Sequence, residues 1–207
     1  MSEEIAPRGE RTRNDILQAA HHLFLERGFH GTSMRQIAQE AGIALGGIYN
    51  HFSSKEDIFT AVFLERHPYR DVLPLMNTAQ GETVEEFVRD AARRMVGGLG
   101  RRTDFLNLMF IEMVEFKGQH IPQLFQIIFP EIMGFAQRLQ AERQGLRDIP
   151  LLVVVRAFLG LFFSFLITEI MIADQLPLEG RERAWDYFVD IYLFGILKQG
   201  APTKEVQ

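Results

Sequence analysis

The stretch between Thr32 and Phe52 constrains the fold of this chain more than any other. Ser33 can cap a helix, because a glutamine three residues later completes a capping box. Gly42 falls where a three-residue turn between two helices needs positive φ or a close approach of their backbones. A second helix of about two turns is expected over 44–51. Two helices joined by a tight turn make a helix-turn-helix, a unit whose second helix is built to enter the DNA major groove.

The distribution of charge supports this interpretation better than the net charge does. The chain of 207 residues carries a net charge of −5, which alone argues against a nucleic-acid partner. Residues 11–55 instead contain five Lys and Arg side chains against three Asp and Glu side chains, a local charge of +2. These numbers fit a small basic head on an acidic body.

Composition also bounds where the protein works. The chain contains no cysteine, which removes disulfides and thiolate chemistry and fits a reducing cytosol. Its first residues are polar, unlike a secretory signal, so we expect a cytoplasmic protein. The apolar run 151–173 contains Arg156 and Glu169, which leave 12 consecutive uncharged residues, whereas a membrane span needs about 20. We therefore expect a buried bundle helix there and no membrane partner.

Helical periodicity continues along the whole chain, without an alternating strand pattern. Thr12 is expected to start the first helix, Gly28 to end it, and Ser54 to cap the helix after the helix-turn-helix. Further helices are predicted over 83–97, 103–117, 122–144, 150–173 and 181–198. We expect an all-α chain of about nine helices, with an amino-terminal three-helix head (1–60) on a carboxy-terminal helical bundle (61–207).

The head also carries a long motif in a fixed register. It runs as Thr12-Arg13-x-x-Ile16-Leu17-x-Ala19-Ala20-x-x-Leu23-Phe24-x-Glu26-x-Gly28-Phe29-x-Gly31-Thr32-Ser33-x-x-x-Ile37-Ala38-x-x-Ala41-Gly42 and continues as Gly46-Gly47-Ile48-Tyr49-Asn50-His51-Phe52-x-Ser54-Lys55-Glu56. In this motif, residues 11–60 resemble the amino-terminal signature of the TetR family of transcriptional regulators. The rest of the chain is similar to that family only in plan.

This resemblance implies an organisation and a mode of action. It implies an all-helical homodimer whose DNA-binding head sits on a ligand-binding and dimerisation body. It also implies that a small ligand releases the protein from operator DNA, as in a repressor, and that the chain is not an enzyme and needs no cofactor.

Candidate DNA contacts follow from the helix-turn-helix and from the resemblance. They are Thr32, Ser33, Arg35, Ala44, Leu45, Gly46, Gly47, Tyr49, Asn50, His51 and Lys55. Hydroxyls and amides at a helix start hold phosphates, which makes Thr32 and Ser33 phosphate candidates. Arg35 can reach a base edge or a phosphate. Tyr49, His51 and Lys55 match backbone-contacting positions of the family.

Some of these positions have simpler interpretations. Tyr49 could pack against neighbouring phenylalanines, His51 could be a cap or a core group, and Ser33 could be only an N-cap. Ala44 and Leu45 depart from the family pattern, which often has a hydroxyl and then a polar or basic residue there. The preference for particular DNA sequences is then expected to depend on Arg35, Asn50 and DNA shape.

Phenylalanine and methionine are abundant in the body, and flexible and aromatic groups together favour a cavity for an apolar ligand. The predicted pocket residues are Phe105, Met109, Glu112, Met113, Phe116, Phe125, Phe129, Arg156, Phe162 and Phe165. The alternative is that the apolar members only form core. The charged members are expected to be solvated or to form inter-helix pairs, with an Arg156–carboxylate pair as one option.

A helical stripe near the carboxy-terminus predicts how two copies meet. Trp185, Phe188, Tyr192 and Ile196 recur at i, i+3 and i+4 spacing. A two-fold four-helix interface would bury such a stripe. Two-fold symmetry then places the two reading helices near ~34 Å apart, or a larger multiple.

The sequence leaves two other functional classes open. A helical metalloenzyme could use Glu112 and Glu115 as ligands, but the chain has no Glu-x-x-His or His-Glu-x-x-His motif, so no metal is expected. A helical bundle that binds lipids or small molecules without a specific DNA function is the second alternative.

Overall fold

The computed structural model describes residues 7–67, 69–99, 104–141, 145–172, 175 and 183–197, with the backbone alone at 99, 104 and 105. In this part of the chain the protein is all-α, as predicted, with ten helices and one isolated bridge between Leu146 and Leu197. The helices are α1 (Arg8–Arg27), α2 (Met34–Glu40), α3 (Leu45–Ile48), α4 (Lys55–Glu65), α5 (Tyr69–Asn77), α6 (Val84–Leu99), α7 (Asp104–Glu115), α8 (Ile121–Ala141), α9 (Leu151–Ile172) and α10 (Ala184–Ile196).

Helix α1 confirms one predicted boundary and corrects the other. Gly28 ends the helix with a φ of 70°, and its N–H donates to the Phe24 carbonyl at 3.0 Å. The helix begins at Arg8, more than one turn before the expected start. The Thr12 hydroxyl donates to the Arg8 carbonyl at 3.1 Å inside the helix, so it is no cap. Pro7 precedes the first helical residue instead, because its fixed φ suits a helix start.

The later helices follow the predicted periodicity with shifted ends. The Glu86 N–H donates to Thr83 Oγ1 at 3.2 Å at the start of α6, which continues through the expected glycine stop to Leu99. The chain turns after α7 at Gly118, whose φ is 78°. Pro130 lies inside α8, which continues on both sides of it. Helix α5 was not among the predicted helices, and it raises the number of helices in the described residues to ten.

The chain forms two compact units. The first contains the described residues of 1–70 and of 102–126, and the second those of 71–101 and of 127–207. The predicted division at residue 60 concerns function and stays a prediction. The compact units differ from it because the segment around α7 packs with the head helices, and the Phe116 ring stacks on the Phe59 ring at 4.6 Å.

Aromatic and aliphatic side chains build the core of the first unit. The ring centroids of Phe24 and Phe59 lie 5.5 Å apart, and those of Phe24 and Phe29 lie 5.7 Å apart. Ile37 on α2 and Ile48 on α3 are completely buried. Because burial of one such side chain contributes about 1.5–3 kcal/mol, this core fixes the helix-turn-helix against α1 and α4.

Helices α9 and α10 pack against each other in the second unit. The Phe158 ring lies 5.0 Å from the Phe135 ring and 5.5 Å from the Tyr192 ring. The Tyr192 hydroxyl donates to the Val154 carbonyl at 3.0 Å. Ile196, about one helical turn later on α10, is also buried. The predicted dimer stripe was therefore wrong for these two residues, which face the core of their own chain. Helical spacing could not decide between faces, because α10 is apolar on more than one of them.

Helix α9 is more membrane-like than its interrupted sequence suggested. By length and composition alone it could cross a membrane, with a mean hydropathy of 2.4. The core helix of a bundle has the same composition. The side chains of α9 that face the core of the second unit are Val154, Val155, Phe158, Phe162, Phe165 and Leu166.

Candidate DNA-binding site

The helix-turn-helix is built by the local contacts that its sequence predicts. Ser33 caps α2, because its Oγ accepts the Gln36 N–H at 3.3 Å while its own N–H donates to Gln36 Oε1 at 2.8 Å. Gly42 takes a φ of 68° in the turn. The Ile43 N–H donates to the Ala38 carbonyl at 2.9 Å, which closes the end of α2.

The second helix of the unit is shorter than expected. Helix α3 spans Leu45–Ile48, and the chain then turns through His51. Ala44 stands at its N-cap without a side-chain hydrogen bond. Helix α4 follows at once, because Ser54 Oγ accepts the Asp57 N–H at 3.0 Å. Hydrogen bonds from Ser53 and Ser54 lower the pKa of the Asp57 carboxyl.

Nine predicted DNA contacts on α2, α3 and the adjoining turns are at least partly exposed, and we call this set of residues the reading face. Its members on α2, α3 and the adjoining turns are Ser33, Arg35, Ala44, Leu45, Gly46, Gly47, Tyr49, Asn50 and His51. Tyr49 is 53% exposed, so it does not pack against Phe29 or Phe52 as the alternative supposed. Arg35, Tyr49 and Asn50 make no side-chain hydrogen bond with any other described residue. Their polar groups are therefore available to an external partner.

No contact within the described structure requires glycine at position 46 or 47. A Cβ added at Gly46 or at Gly47 would meet nothing within 4 Å, and both residues have ordinary helical φ. A glycine in an exposed helix costs about 1 kcal/mol relative to alanine. The chain accepts this cost twice within a helix of four residues.

Two predicted phosphate contacts, Thr32 and Lys55, make hydrogen bonds inside the head. Thr32 is 2% exposed, and its hydroxyl donates to the Gly28 carbonyl at 2.9 Å and to the Leu23 carbonyl at 3.2 Å. Its amide donates to the Phe29 carbonyl at 3.3 Å. Both donors of Thr32 therefore stabilise the end of α1. A buried hydroxyl cannot meet a phosphate without unfolding this turn.

Lys55 is also engaged inside the head. Its Nζ donates to the carbonyls of Phe29 and Thr32, both at 2.7 Å, and lies 4.2 Å from the Phe29 ring centroid. The ammonium thus closes the turn between α1 and α2 by a charged donor and a cation–π contact. The family position suggested a DNA contact. In the structure Lys55 instead stabilises the turn between α1 and α2.

The positive charge of the head is partly neutralised. Arg13 on α1 forms a two-point ion pair with Glu65 on α4, with Nη1 and Oε2 at 2.8 Å, and its guanidinium lies 5.4 Å from the Phe52 ring centroid. The hydrogen bond from Arg13 lowers the pKa of the Glu65 carboxyl. Of the five basic side chains counted in the sequence, Arg13 and Lys55 therefore serve the fold.

The predicted pocket residues lie in several different environments. Phe116 packs in the first unit, whereas Phe162 and Phe165 are buried in the second. The exposed members are Met113, Phe125, Phe129 and Arg156. Met109 is half-buried, and the side chain of Phe105 lies outside the described residues. The pocket stays a prediction.

The charged members of the predicted pocket resolve differently from expectation. Arg156 is exposed, so the option of a buried Arg156–carboxylate pair is wrong. Glu112 is the buried charge, and it pairs with His120. Glu115 pairs with His30 across 2.6 Å. A groove of about 480 Å³ lies on the head instead, lined by Asp15, Gln18, Ala19, His22, Glu40 and Ala41.

Comparison with known proteins finds a family match in the head of the chain. Residues 16–62 match the family described as bacterial regulatory proteins, tetR family. The chain is 46% identical over 61 residues to the HTH-type transcriptional activator FasR of Mycolicibacterium smegmatis, which covers 30% of this chain and 27% of FasR. A TetR family transcription regulator from Marinobacter aquaeolei has the same fold over 93% of this chain and 98% of its own, with a TM-score of 0.68 and 14% identity.

The head of this chain is therefore similar to the TetR family. The sequence match covers the head alone, and it spans less than a third of the length of FasR. The TetR fold continues through the body, as the match to SmeT in its complex with triclosan also indicates, with a TM-score of 0.64 over 94% of this chain at 19% identity. FasR itself is named as an HTH-type transcriptional activator.

Proposed function

We propose that this protein is a TetR-family DNA-binding transcriptional repressor that a small, mainly apolar ligand releases from its operator. The observation that carries the proposal is the reading face. The exposed side chains of Arg35, Tyr49 and Asn50 make no hydrogen bond within the described residues, and the second helix carries two glycines that a close external surface would explain. The DNA major groove accepts such a helix.

Within this proposal the residues of the reading face have different duties. Arg35 reads a base edge or holds a phosphate. The Asn50 side-chain amide supplies a second contact to a base. Tyr49 and His51 contact the phosphate backbone, and Leu45 offers an apolar contact such as a thymine methyl. Because few groups here can hydrogen-bond to bases, DNA shape is expected to contribute to sequence preference.

The proposed active form is a homodimer. The large apolar side chains that α10 leaves exposed are Tyr187, Ile191 and Phe194, and the last two are 70% and 76% exposed. Helix α9 adds exposed apolar side chains at Leu152, Val153 and Met171. Exposed apolar side chains in this number favour an interaction site. A two-fold pairing of α9 and α10 would cover it and would also explain why α9 is apolar on its outward side.

The proposed effector is an aromatic or apolar molecule with one hydrogen-bond acceptor. Trp185 packs against Phe162 at 5.8 Å and Phe165 at 4.7 Å between ring centroids, and these phenylalanines are predicted pocket residues. The Trp185 indole N–H is buried and has no hydrogen-bond partner among the described residues. Because an unsatisfied buried donor costs about 1–3 kcal/mol, a ligand oxygen at this atom would be stabilised. The sequence assigned Trp185 to the dimer stripe, whereas its packing against Phe162 and Phe165 supports this different role.

Footprinting on the intergenic DNA beside the gene tests the proposal. Wild-type protein should protect a palindrome, with affinity that falls steeply with salt. A double variant of the reading face, Arg35→Ala with Asn50→Ala, should lose the footprint. Arg93→Ala is the matched control, because Arg93 is 70% exposed on α6 in the second unit. Absence of any protected palindrome at low salt would favour the bundle without a DNA function.

Triclosan, the ligand in the SmeT complex, serves as the first effector probe. It is an aromatic ether with one hydroxyl, which fits the proposed chemistry. Trp185 is the single tryptophan of the chain, so its fluorescence reports binding directly. Binding should change the Trp185 emission and abolish the footprint. Release without any change in emission would place the effector elsewhere.

A further inference from the structure

The first turn of helix α3 carries no polar side chain, although it lies at the centre of the reading face. From position 44 to position 48 the chain reads Ala, Leu, Gly, Gly and Ile. Ile48 is completely buried, whereas Leu45 is 42% exposed. Within residues 44–48, all of which the structure describes, Leu45 is therefore the one side chain larger than a methyl group that faces outward.

The ring of Tyr49 extends this apolar surface by one helical turn. Tyr49 follows α3 with helical backbone angles, φ −70° and ψ −12°, and its side chain is 53% exposed. Residues four apart on a helix have Cβ atoms about 5–6 Å apart. The side chains of Leu45 and Tyr49 therefore form a short apolar ridge along the outward side of α3.

Open space lies beside this ridge at Gly46. A Cβ added there would meet nothing within 4 Å, so the space that a methyl group of the protein could occupy is empty. No side chain of residues 44–48 offers a hydrogen bond to a group that enters this space. The ridge and the adjoining gap at Gly46 therefore suit a small apolar group supplied from outside.

In the DNA major groove one base carries such a group. Thymine presents an acceptor oxygen and a 5-methyl group, whereas cytosine presents an amino donor. A polar side chain distinguishes the two bases by acceptor and donor, but an apolar side chain gains free energy by covering the methyl group. 5-Methylcytosine carries the same methyl group on the same ring atom. An apolar contact thus selects pyrimidines by methylation and not by hydrogen-bonding pattern.

We propose that Leu45 reads the 5-methyl group of one pyrimidine in each half of the operator palindrome, so that 5-methylcytosine is accepted there in place of thymine. The inference rests on the proposed function of a dimer that binds an operator. Leu45 is then a specificity-determining residue. The Tyr49 ring borders the methyl group while its hydroxyl contacts the DNA backbone. Methylation of a cytosine at this position would raise the affinity of the protein for its operator.

The test uses duplexes of the footprinted operator that differ by one methyl group in each half of the palindrome. Deoxyuridine replaces each thymine in turn, in both halves together, which removes the methyl group and keeps the base pair. We expect one position where affinity falls by about tenfold, equivalent to about 1.4 kcal/mol, because two covered methyl groups are lost. At that position, duplexes with cytosine and with 5-methylcytosine should differ by a similar factor.

Protein variants assign the effect to Leu45. Leu45→Ala should bring the thymine-to-uracil ratio and the 5-methylcytosine-to-cytosine ratio close to one, because alanine does not reach the methyl group. Leu45→Met keeps an apolar side chain of similar volume and should keep both ratios. Arg35→Ala on α2 should weaken binding to every duplex and leave the ratios unchanged. Val114→Ala is the matched control, because Val114 is 73% exposed on α7, and it should behave as wild type.

Ratios in Leu45→Ala equal to those of the wild type would overturn the inference. A purely structural role of Leu45 would produce this outcome, because it would weaken binding to all duplexes alike. An operator in which no uracil replacement lowers affinity would overturn the inference as well. Low salt strengthens binding to DNA, so the ratios can be measured even in a weakened variant. Failure of the wild-type protein to bind any operator would instead overturn the proposed function, so the two failures are distinguishable.

Discussion

The two sides of the DNA-binding head use polar side chains in opposite ways. On the reading face, Arg35 and Asn50 are exposed and make no side-chain hydrogen bond with other described residues. On the inner side, Thr32 and Lys55 donate to main-chain carbonyls at the end of α1. The same family motif contains both kinds. Residue type alone therefore cannot separate the groups that bind DNA from the groups that hold the binding surface in shape.

Substitution of Lys55 gives the strongest test of whether the inner side chains stabilise the fold and do not bind DNA. Lys55→Met keeps a stem beside the Phe29 ring and removes the charged donor. The free energy of unfolding should fall by about 2–4 kcal/mol, because two carbonyls lose a charge-assisted hydrogen bond. Urea unfolding followed by circular dichroism measures it, with the exposed Arg93→Met as control. If Lys55→Met were as stable as wild type but unable to bind DNA, Lys55 would belong to the reading face.

His67 extends the inner side of the comparison to pH. It is 1% exposed, its Nδ1 accepts the Tyr69 N–H at 3.3 Å, and burial lowers the pKa of its imidazole to about 4. The unfolded chain, with a His pKa of about 6.5, then binds more protons than the folded chain between pH 4 and 6.5. Stability should fall by roughly 3 kcal/mol as the pH decreases through this window.

Urea midpoints between pH 4 and 7.5, at one fixed protein concentration, test the His67 prediction. His67→Phe keeps a ring beside Phe63, which lies 5.5 Å from His67, and should flatten the pH dependence. His22→Gln is the control, because the His22 side chain is 65% exposed. An equally steep decline in His67→Phe would assign the effect to other groups.

Arg35 tests the outer side of the comparison. Arg35→Ala should weaken operator binding by about 1–3 kcal/mol if the guanidinium contacts a base, and it should leave the unfolding midpoint unchanged because the side chain supports no other described residue. Arg35→Lys separates base from phosphate contact, since lysine keeps the charge but not the two-point geometry. Full recovery with lysine would indicate a phosphate contact. A fall in stability equal to that of Lys55→Met would remove the distinction between the two sides.

Local signals in the sequence were sufficient for the helix-turn-helix. The capping of α2 by Ser33, the positive φ of Gly42 and the stop at Gly28 each depend on residues within a few positions, and all three were predicted correctly. The start of α1 failed for a local reason, because Pro7 and Thr12 are both plausible boundary residues and only one is used.

Contacts between distant residues could not be predicted. The pairing of Thr60 with His120 joins positions sixty residues apart, and the periodicity of the sequence does not predict it. The choice of outward face on α10 failed for a related reason. Trp185 and Tyr192 were expected at a dimer interface, but they pack inward, and Ile191 and Phe194 are exposed instead. An apolar helix offers several faces, and the packing of its neighbours selects among them.

Gly46 gives the smallest effect and the clearest separation of stability from binding. Because a Cβ at Gly46 would meet nothing within 4 Å, Gly46→Ala should raise the free energy of unfolding by about 0.5–1 kcal/mol through helix propensity. The same methyl group should weaken operator binding, by about fivefold or roughly 1 kcal/mol, because it separates α3 from the groove. Gly97→Ala on α6, where a Cβ also meets nothing, should give the stabilisation without the loss of binding. Thermal unfolding and operator titration of both variants measure the two effects. Equal operator affinity in Gly46→Ala and wild type would mean that α3 does not approach DNA closely, and the reading face would then have to act through its side chains alone.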